Sequence, residues 1–572
     1  MRSRPRPTEG KLRATLLILL TISTMMAVFD HLEVRASNWT SATQVPANIC
    51  YVFNIQVNCF DTWPGVSRDP LGRVWLAFGE KVEGSFNQPK IFFKMLSNGT
   101  WTNKQQVTND LYTDDNPFVT QLSNGSMMLL WSSNRTGSGQ YEIFYKFYSG
   151  TSRNPFATIA DTQLTNNPLN DTQPSAIQDR NGRIWVVWAR QSQTSAAGLS
   201  LYYSDIYYKY FNGTTWSADF PLPQASNIIV NGNHMTERMP HVRQTKDGRI
   251  WILWSSNETA DGTFDVNSVT TDGTVSVLPA TGIPAGSWSA RRDLCCSDNN
   301  AEDDHPVLVQ DRSGTLDLFW ERCAGSGCNF NIYYMNSTNN GVTWSTPTAV
   351  PAANPLLDER FPVAGQMSDN RVYLFWQVSA SNTTAFTYTT SDPIVGISDV
   401  GIYNLTASPM FIRSGDSITV NAGIANYGDS KANTTLTVRL TNTAGTTIIN
   451  TTPIVNLASG SRLSVKFVYA TISPFWGRYN LTATLSAVPG ENTINQGDNF
   501  WSIANERISP PGDVNFDGCI TILDAALLAY AYGSTAGPPP SPRWDPNSDI
   551  NKDGAITLID AATLAFYYTD CV

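Results

Sequence analysis

The sequence predicts a mainly β chain: a six-bladed β-propeller followed by a β-sandwich and a small α-helical domain with two calcium loops. Three observations predict this order. A motif that begins with an acidic residue and contains proline occurs six times. The residues after position 396 alternate between apolar and polar types. Two acidic twelve-residue loops, each with a central glycine, lie near the C-terminus.

The repeated motif has a constant length. Proline stands three positions after the acidic residue, and an aromatic residue stands fourteen positions after the proline, whereas the copies begin 53 to 66 residues apart. Repeats of this size indicate a propeller or a solenoid. Turns between two apolar runs indicate a hairpin in each copy, and two further strands usually follow, which favours six four-stranded blades. The proline and aromatic pairs are Pro64/Phe78, Pro117/Trp131, Pro174/Trp188, Pro240/Trp254, Pro306/Trp320 and Pro362/Trp376.

The six acidic residues of the motif are expected to form a ring near one mouth of the propeller channel. Paired carboxylates can hydrolyse glycosides, but a residue present in every blade is better explained by a hydrogen bond that every blade needs. Arg238, Arg360, His241 and His305 break the sixfold pattern. No complete catalytic set is identified, so enzymatic activity stays open. The acidic residues are Asp61, Asp114, Asp171, Glu237, Asp303 and Glu359.

Residues 1–36 are predicted to be a signal peptide, or a signal anchor if they are not cleaved. Basic residues precede the apolar run Ala14–Phe29, and the sequence VRA, which ends at Ala36, offers a cleavage site. The run is short for a membrane span, so membrane contact is expected only through this segment if it stays uncleaved. Thirteen glycosylation sequons agree with an extracellular, secreted or cell-surface glycoprotein.

Charge and cysteine content narrow the function further. A net charge of −10 argues against a nucleic-acid surface, which needs a basic stripe. Eight cysteines fit an oxidising compartment. Four of them near the fifth repeat could instead bind zinc as thiolates, but disulfides are favoured in an exported chain. The predicted bridges are Cys50–Cys59, Cys519–Cys571, and two that join Cys295/Cys296 to Cys323/Cys328.

The propeller is predicted to span residues 47–396, with Ile49–Phe60 as a strand that completes the last blade. The sequence STNNGVTW, Ser337–Trp344, resembles the Asp-box of sialidase-type propellers, with Asn339 in the usual aspartate position. That resemblance implies a sialidase-like fold and a structural turn between outer strands. The Arg-Ile-Pro motif that opens the sialidase catalytic set does not occur in the sequence.

Residues 397–505 are predicted to form an immunoglobulin-like sandwich, because turn signals recur every eight to twelve residues. The SP…SGD opening, the sequence IANYGDS and the sequence VPGENTINQGDN resemble the adhesion-related, CARDB-type module of prokaryotic surface proteins. The resemblance implies a spacer or a ligand-presenting domain. Residues 506–511 are predicted to be a short proline-containing linker.

The sequences DVNFDGCITILD and DINKDGAITLID have the spacing of EF-hand-like calcium loops. Oxygens are expected from positions 1, 3, 5, 7, 9 and 12, with a glycine at position 6 for the sharp turn. Each loop is predicted to bind one Ca²⁺. The predicted ligands are Asp513, Asn515, Asp517, Cys519, Thr521 and Asp524 in the first loop, and Asp549, Asn551, Asp553, Ala555, Thr557 and Asp560 in the second.

Aspartate at position 12, followed directly by a helix, resembles a dockerin over residues 512–572. In dockerins, the residues just before the last ligand help to select the cohesin partner. Here they are Ile522 and Leu523 in the first half, and Leu558 and Ile559 in the second. Their near identity implies two interchangeable faces, and a cohesin-bearing protein is the expected partner.

Together these features predict an extracellular modular protein linked to polysaccharide processing. Its propeller would bind a glycan or another polymer, and its calcium-loaded dockerin would dock onto a cohesin. A glycoside hydrolase with its active site in the propeller channel is the alternative, since dockerins often tether polysaccharide-degrading enzymes. A purely structural cell-surface adhesion protein is a third possibility. Turnover on a glycan panel would single out the enzyme.

Overall fold

The computed structural model describes residues 39–571, apart from short gaps. The gaps are residues 49, 53–54, 58, 70, 83–87, 137–138, 150–159, 197–198, 231–232, 259–262, 272–281, 284–286, 296–300, 326, 381–382, 409–410, 414–416, 443–444, 446, 471–476 and 516. The predicted signal segment, residues 1–36, lies outside the described residues. Within the described ranges, no helix has both the length and the apolarity needed to cross a membrane.

The six repeats fold into six groups of antiparallel strands, each called a sheet here, although one bridge joins the first and the sixth into a single nine-stranded sheet. Three short strands precede them, β1 (Thr43–Gln44), β2 (Cys50–Val52) and β3 (Ile55–Val57). The first sheet contains β4 (Cys59–Arg68), β5 (Val74–Val82), β6 (Lys90–Ser97), β7 (Thr100–Trp101) and β8 (Gln105–Gln106). The second contains β9 (Asp114–Gln121), β10 (Ser126–Ser133), β11 (Glu142–Ser149) and β12 (Thr162–Gln163). The third contains β13 (Asp171–Gln178), β14 (Ile184–Ala196), β15 (Leu199–Phe211) and β16 (Phe220–Pro221).

A small hairpin of β17 (Ile229–Val230) and β18 (Asn233–His234) separates the third and fourth sheets. The fourth sheet contains β19 (Glu237–Gln244), β20 (Ile250–Ser256), β21 (Asp265–Thr270) and β22 (Arg292–Cys295). The fifth contains β23 (Ala301–Gln310), β24 (Leu316–Ala324), β25 (Asn331–Ser337) and β26 (Thr348–Ala349). The sixth contains β27 (Asp358–Gln366), β28 (Val372–Ala380) and β29 (Thr383–Thr390).

The first strand of each sheet lies innermost. In order, the inner strands β4, β9, β13, β19, β23 and β27 each contact the next, and β27 contacts β4. The N-terminal strand β1 pairs with β29 through Thr43 and Tyr388 and so adds an outer strand to the sixth sheet. The prediction that Ile49–Phe60 completes the last blade is therefore wrong in its main part, because β2 and β3 pair with each other. Of the described residues in this segment, Phe60 alone bridges to the sixth sheet, at Thr384.

Both faces of the second strand in each sheet are covered, as its apolar sequence predicts. In β14, Trp188 packs with Leu130 of the second sheet, whereas Trp185 packs with Ile252 of the fourth sheet. Both tryptophans are fully buried. Alternate residues of one strand thus join the sheets on either side, which is the arrangement of a blade between two neighbours.

A repeated glutamine at the end of the inner strand joins each of three neighbouring sheet pairs. Gln244 accepts a hydrogen bond from the backbone N–H of Arg180 in the preceding sheet at 2.7 Å and donates to the carbonyl of Gly248 at 3.1 Å. Gln178 and Gln310 make the same two kinds of bond. The glutamine side chain therefore acts as a clamp between sheets at the far end of the inner strands.

Substitution of Gln244 by alanine is expected to destabilise the propeller-like region by about 1–3 kcal/mol, because two part-buried backbone groups lose their partners. Chemical denaturation followed by tryptophan fluorescence measures this change. Gln366 is the matched control, since it ends the inner strand of the sixth sheet and makes no side-chain hydrogen bond among the described residues. Equal destabilisation by both substitutions would show that the clamp contributes nothing.

The Asp-box-like sequence forms a tight turn between β25 and β26, away from the channel. Asn339 accepts the backbone N–H of Thr343 at 2.9 Å and donates to its hydroxyl at 2.8 Å. Gly341 has a φ of 77° and lies against the Trp251 ring, where a Cβ atom would come within 2.4 Å. The turn therefore has a structural role, as the resemblance implied.

A β-sandwich follows, with one shared apolar core that includes Val420, Leu436, Leu481 and Trp501. One sheet contains β30 (Val400–Ser408), β32 (Ser417–Asn426) and β35 (Arg462–Ala470). The other contains β31 (Phe411–Arg413), β33 (Ala432–Asn442), β34 (Thr447–Leu457), β36 (Gly477–Leu485) and β37 (Phe500–Ser509), and a 3-10 helix, Asn495–Asn499, precedes β37.

The sandwich packs against the turns at the far ends of the inner strands. Lys246 forms an ion pair with Asp399 at 2.6 Å, and Arg312 forms one with Asp429 at 2.5 Å. The Arg180 guanidinium lies 5.1 Å from the centre of the Trp501 ring. These contacts place the sandwich across one end of the space that the six inner strands surround, which is called the channel here.

The C-terminal residues contain helices α1 (Ile522–Ala531) and α2 (Leu558–Phe566). Each begins with a capping box in which a threonine, Thr521 or Thr557, caps the helix and the aspartate three residues later bonds back. The small shared core includes Ile520, Leu528, Ile556 and Leu564.

Two disulfides are described, Cys519–Cys571 and Cys323–Cys328. The first was predicted. The predicted bridges from Cys295/Cys296 to Cys323/Cys328 are wrong, because Cys323 and Cys328 are only five residues apart on one loop and bond to each other. Cys59 and Cys295 are also disulfide-bonded. The side chains of Cys50 and Cys296 lie outside the described residues.

Candidate functional site

Each inner strand is interrupted by a β-bulge immediately before the proline of the repeat. The residue before the proline has a φ between 50° and 59° in all six strands, although none is glycine. Strained backbone of this kind persists only where the surroundings hold it, and it concentrates at functional sites. The six bulge residues mark one end of the channel, called the mouth here. They are Trp63, Asn116, Gln173, Met239, His305 and Phe361.

One side of the mouth is aromatic. The ring of Trp63 lies 4.2 Å from Phe361 and 5.4 Å from His305, measured between ring centres. His305 and Phe361 meet edge to face at 4.6 Å. The other three bulge residues are polar or flexible, so the mouth has one aromatic wall and one wall rich in amide groups. Aromatic faces beside polar groups suit sugar rings, which have both apolar faces and hydroxyl edges.

Within the aromatic wall, the His305 ring also contacts two buried carboxylates. Its Nδ1 is 3.0 Å from Glu321 and 3.5 Å from Asp304. Asp304 and Glu321 stand directly opposite each other on β23 and β24, where two like charges repel. Arg238 offsets this repulsion from the fourth sheet, 2.5 Å from Asp304. Glu321 also accepts the backbone N–H of Phe361 at 2.6 Å and so fixes the neighbouring bulge.

These contacts shift the pKa values of the cluster. Burial alone would raise the pKa of Asp304, but His305 and Arg238 hold it below its usual range. Burial alone would lower the pKa of His305, but Glu321 and Asp304 raise it above its usual value. Both shifts favour the charged forms of His305 and Asp304.

Asp115 lies on the opposite side of the ring, in the second sheet, and has a different environment. Its carboxylate contacts the first sheet, where Oδ1 lies 3.0 Å from the position of a Cβ atom on Gly79. Burial, with a further contribution from Asp114, raises the pKa of Asp115 to about 6. The mouth thus combines a carboxyl whose pKa is raised, Asp115, with one whose pKa is lowered, Asp304 in the fifth sheet.

The six predicted ring acids are all buried and have structural partners. Asp171 binds Arg190 through two hydrogen bonds, Asp114 pairs with Arg135, and Asp303 accepts the indole N–H of Trp320. The backbone N–H groups of Asp114, Asp171, Asp303 and Glu359 donate to the preceding sheet. These contacts agree with the expected blade-to-blade hydrogen bond. Arg360 pairs with the nearby Asp358, and His241 lies deeper in the channel.

The buried ring acids predict that the propeller-like region is more stable near pH 5 than near pH 8. Burial raises the pKa of Asp61, Glu237, Asp303 and Glu359 to about 7 each, above the values of the unfolded chain. The folded state therefore holds more protons, so stability falls as pH rises from about 4 to about 7. Thermal unfolding at several pH values, followed by tryptophan fluorescence, measures this slope. Glu359→Gln should reduce it, and an unchanged slope would contradict the assignment.

The two C-terminal loops are built alike. Asp524 accepts the backbone N–H groups of Val514, Asn515 and Thr521, and Asp560 makes the three equivalent bonds. Asp513 and Asp549 each accept the N–H of the glycine at position 6. In the first loop, carboxylate oxygens of Asp513, Asp517 and Asp524 lie within 4.8 Å of one another. This convergence of oxygens on one point fits a calcium ion.

Both helices expose apolar residues at equivalent positions. Ile522 and Leu523 at the start of α1 are 69% and 60% exposed, and Leu558 and Ile559 at the start of α2 are 71% and 59% exposed. Tyr530 and Phe566, eight residues after the first member of each pair, are exposed as well. Such repeated exposure of large apolar groups marks a protein-binding surface.

Residues 511–567 match the family model described as dockerin type I domain. This part of the chain is a dockerin domain. No curated protein matches the chain.

Among solved structures, the chain is similar to a protein of unknown function from Dyadobacter fermentans, at 12% identity and a TM-score of 0.45, covering 62% of this chain and 99% of that one. It is also similar to Penicillium chrysogenum α-L-arabinanase, at 11% identity and 0.41, covering 62% and 98%. A third is Trypanosoma rangeli sialidase, at 10% identity and 0.40, covering 83% and 93%. No activity is inferred from these likenesses.

Of the residues singled out by sequence, the structure brings His305 and Arg238 together at the mouth. Glu321 and Asp115 were missed. A signal for Glu321 exists: it follows the last aromatic of its repeat, where the other copies have Gly79, Ser132, Ala189, Ser255 and Gln377. Because only one of the six copies has a carboxylate at this position, the residue is not needed for the structure that all six copies share.

Proposed function

We propose that this is an extracellular protein that docks onto a cohesin-bearing partner and presents a glycan-binding propeller. The observation that carries the docking half is the dockerin domain with its two exposed apolar helix starts. Disulfide-bonded cysteines agree with an oxidising compartment.

Two calcium ions are assigned to the dockerin loops. Asp513, Asn515, Asp517 and Asp524 would hold the first ion with the carbonyl of Cys519. The second loop repeats these residue types at Asp549, Asn551, Asp553 and Asp560, with the carbonyl of Ala555. When bound, calcium neutralises the clustered carboxylates. Because Asp524 and Asp560 also bond the loop backbone to the helix start, ion binding and helix docking are coupled.

The cohesin-binding residues are Ile522 and Leu523 on one face, and Leu558 and Ile559 on the other. Near-identical pairs at equivalent positions support two alternative binding orientations. Tyr530 and Phe566 extend the two faces in the same way, each as an exposed aromatic residue.

The propeller half consists of six blades closed into a ring. The chain of contacts from β4 through β27 and back to β4 supports this closure, and the β1–β29 pair strengthens the junction. With the sandwich across the far end, a ligand reaches the channel from the mouth. The aromatic wall of Trp63, His305 and Phe361 supports carbohydrate as that ligand. A propeller with five or seven blades in an experimental structure would contradict this proposal.

Glycoside hydrolysis at the mouth is a second candidate, and one observation favours it. Asp115 has a raised pKa and can donate a proton, whereas Asp304 on the opposite side has a lowered pKa and stays ionised. Glycosidases use such a pair, an acid and an ionised carboxylate whose environments separate their pKa values.

A glycan array with both binding and turnover readouts on the full chain tests these proposals. Saturable binding without turnover would establish the glycan-binding function, and release of reducing sugar would establish the hydrolase. Trp63→Ala should weaken binding about tenfold, because it removes one stacking face. The control is Phe500→Ala, because Phe500 is an aromatic residue that is 47% exposed and lies in the sandwich strand β37. If the array shows neither binding nor turnover, the result favours a purely structural adhesion protein.

A further inference from the structure

The channel contains a chamber at the end opposite the mouth, between the propeller-like region and the sandwich. Its volume is about 840 Å³. The far halves of all six inner strands line it, and sandwich residues around Tyr427 and Arg462 complete it. Phe118 and His241, from the second and fourth sheets, approach each other to 6.4 Å between ring centres at the level nearest the mouth. The chamber is therefore distinct from the aromatic wall.

Three arginines converge on this chamber: Arg68 at the end of β4, Arg243 in β19 and Arg462 at the start of β35. Burial, together with the charge of Arg462, lowers the pKa of Arg68. Burial, together with the charge of Arg68, lowers the pKa of Arg243. These guanidinium groups are thus close enough to repel one another across the chamber.

No carboxylate compensates these charges. Across the described part of the chain, none of the three arginines forms an ion pair, and Nε of Arg243 is buried without a hydrogen-bond partner. Arg462 lies over the Tyr403 ring at 4.9 Å. The acids on the lining have other partners: Asp399 pairs with Lys246, Asp429 pairs with Arg312, and Asp311 binds its own turn. Burial and the charge of Asp399 raise the pKa of Asp498 well above its usual value, which disfavours its charged form.

We propose that the chamber binds a small oxyanion-bearing ligand through Arg68, Arg243 and Arg462. Like charges that line one cavity repel one another, and an anion bound between them removes that repulsion. The planar guanidinium group offers paired N–H donors that match carboxylate, sulfate and phosphate. The volume is in the range of small-molecule sites and exceeds what a single ion needs. An acidic sugar and a free inorganic oxyanion share this chemistry.

Isothermal titration of the full chain tests the proposal, with sulfate, phosphate and glucuronate as probes at constant ionic strength in chloride. The wild type is expected to bind one probe molecule per chain. Arg68→Gln and Arg243→Gln should each weaken binding roughly tenfold or more, because each removes a charge-assisted contact. Arg439→Gln, an exposed arginine on β33 of the sandwich, is the control and should bind as the wild type does. Tighter binding of glucuronate than of both inorganic ions would assign an acidic sugar, and the reverse would assign a free oxyanion.

Folding of the variants is checked by thermal unfolding in chloride. Because each substitution removes an uncompensated charge, Arg68→Gln and Arg243→Gln should unfold at or above the wild-type temperature. Stable variants that bind the probes as tightly as the wild type would overturn the proposal. A wild type that binds none of the three probes would overturn it as well. Neither result would bear on the mouth, whose ligand is measured separately.

Discussion

Simultaneous substitution of Asp524 and Asp560 by alanine is expected to abolish capture of the protein by a cohesin, whereas each single substitution should leave capture detectable. Each aspartate accepts three backbone N–H groups and is one of the proposed calcium ligands at a helix start. Its loss therefore costs about 3 kcal/mol or more in one half of a domain that has little core of its own. With two equivalent faces, one intact half still binds.

Retention of the full chain on an immobilised cohesin, with calcium or with a chelator, measures this effect. Asp570→Ala is the control, because Asp570 is an acidic residue of the same domain outside both loops. The isolated segment 511–572 should also gain helical circular dichroism with calcium and lose it with a chelator. If the spectrum of the segment changes with neither calcium nor chelator, calcium-dependent docking is refuted. If the immobilised cohesin retains the double variant, the assigned faces are refuted.

Substitution of Asp115 by asparagine is expected to reduce glycan turnover about 10²–10⁴-fold while leaving glycan binding nearly unchanged. Asparagine keeps the size and polarity of the side chain but has no acidic proton to donate. Because the pKa of Asp115 is raised to about 6, the acid form predominates below that pH. Wild-type turnover should therefore decline as pH rises through about 6.

The test measures the hydrolysis rates of the wild type and the variant across this pH range, together with their glycan-binding isotherms. Asp369→Asn is the matched control, since Asp369 is an exposed carboxylate at the far end of the same propeller-like region. Unchanged turnover in Asp115→Asn would remove Asp115 from the acid role. Binding without any wild-type turnover would exclude hydrolysis of the glycans tested and leave glycan binding as the function.

The repeated motif predicted the sheets well because its information is local. Apolar runs and glycine turns specify hairpins within one copy, and the buried Trp185 and Trp188 follow from the pattern. The bulges were not predicted, because a residue before proline normally adopts an extended conformation. Nothing in the residue types of Trp63 or Gln173 indicates a positive φ. The left-handed backbone follows from packing in the ring instead.

Contacts between distant parts of the chain account for the other differences. Asp304 and Glu321 are opposed because of strand register, and Arg238 reaches them from another sheet. Cysteine spacing does not determine pairing, so four nearby cysteines suggested crossed bridges where a local one, Cys323–Cys328, is formed. In the two C-terminal loops, the hydrogen bonds that close each loop join residues within twelve consecutive positions, so the local sequence is enough to predict the turn.

Strand β37 determines where the dockerin domain is attached to the sandwich. The strand begins at Phe500, whose carbonyl faces Arg180 of the third sheet, and ends at Ser509. Ten extended residues cover about 33 Å. The dockerin match starts two residues later, so it begins at the end of the sandwich remote from the propeller-like region. In the proposed complex, a cohesin bound to the dockerin would therefore hold an arm whose outermost part is the mouth, turned away from the cohesin.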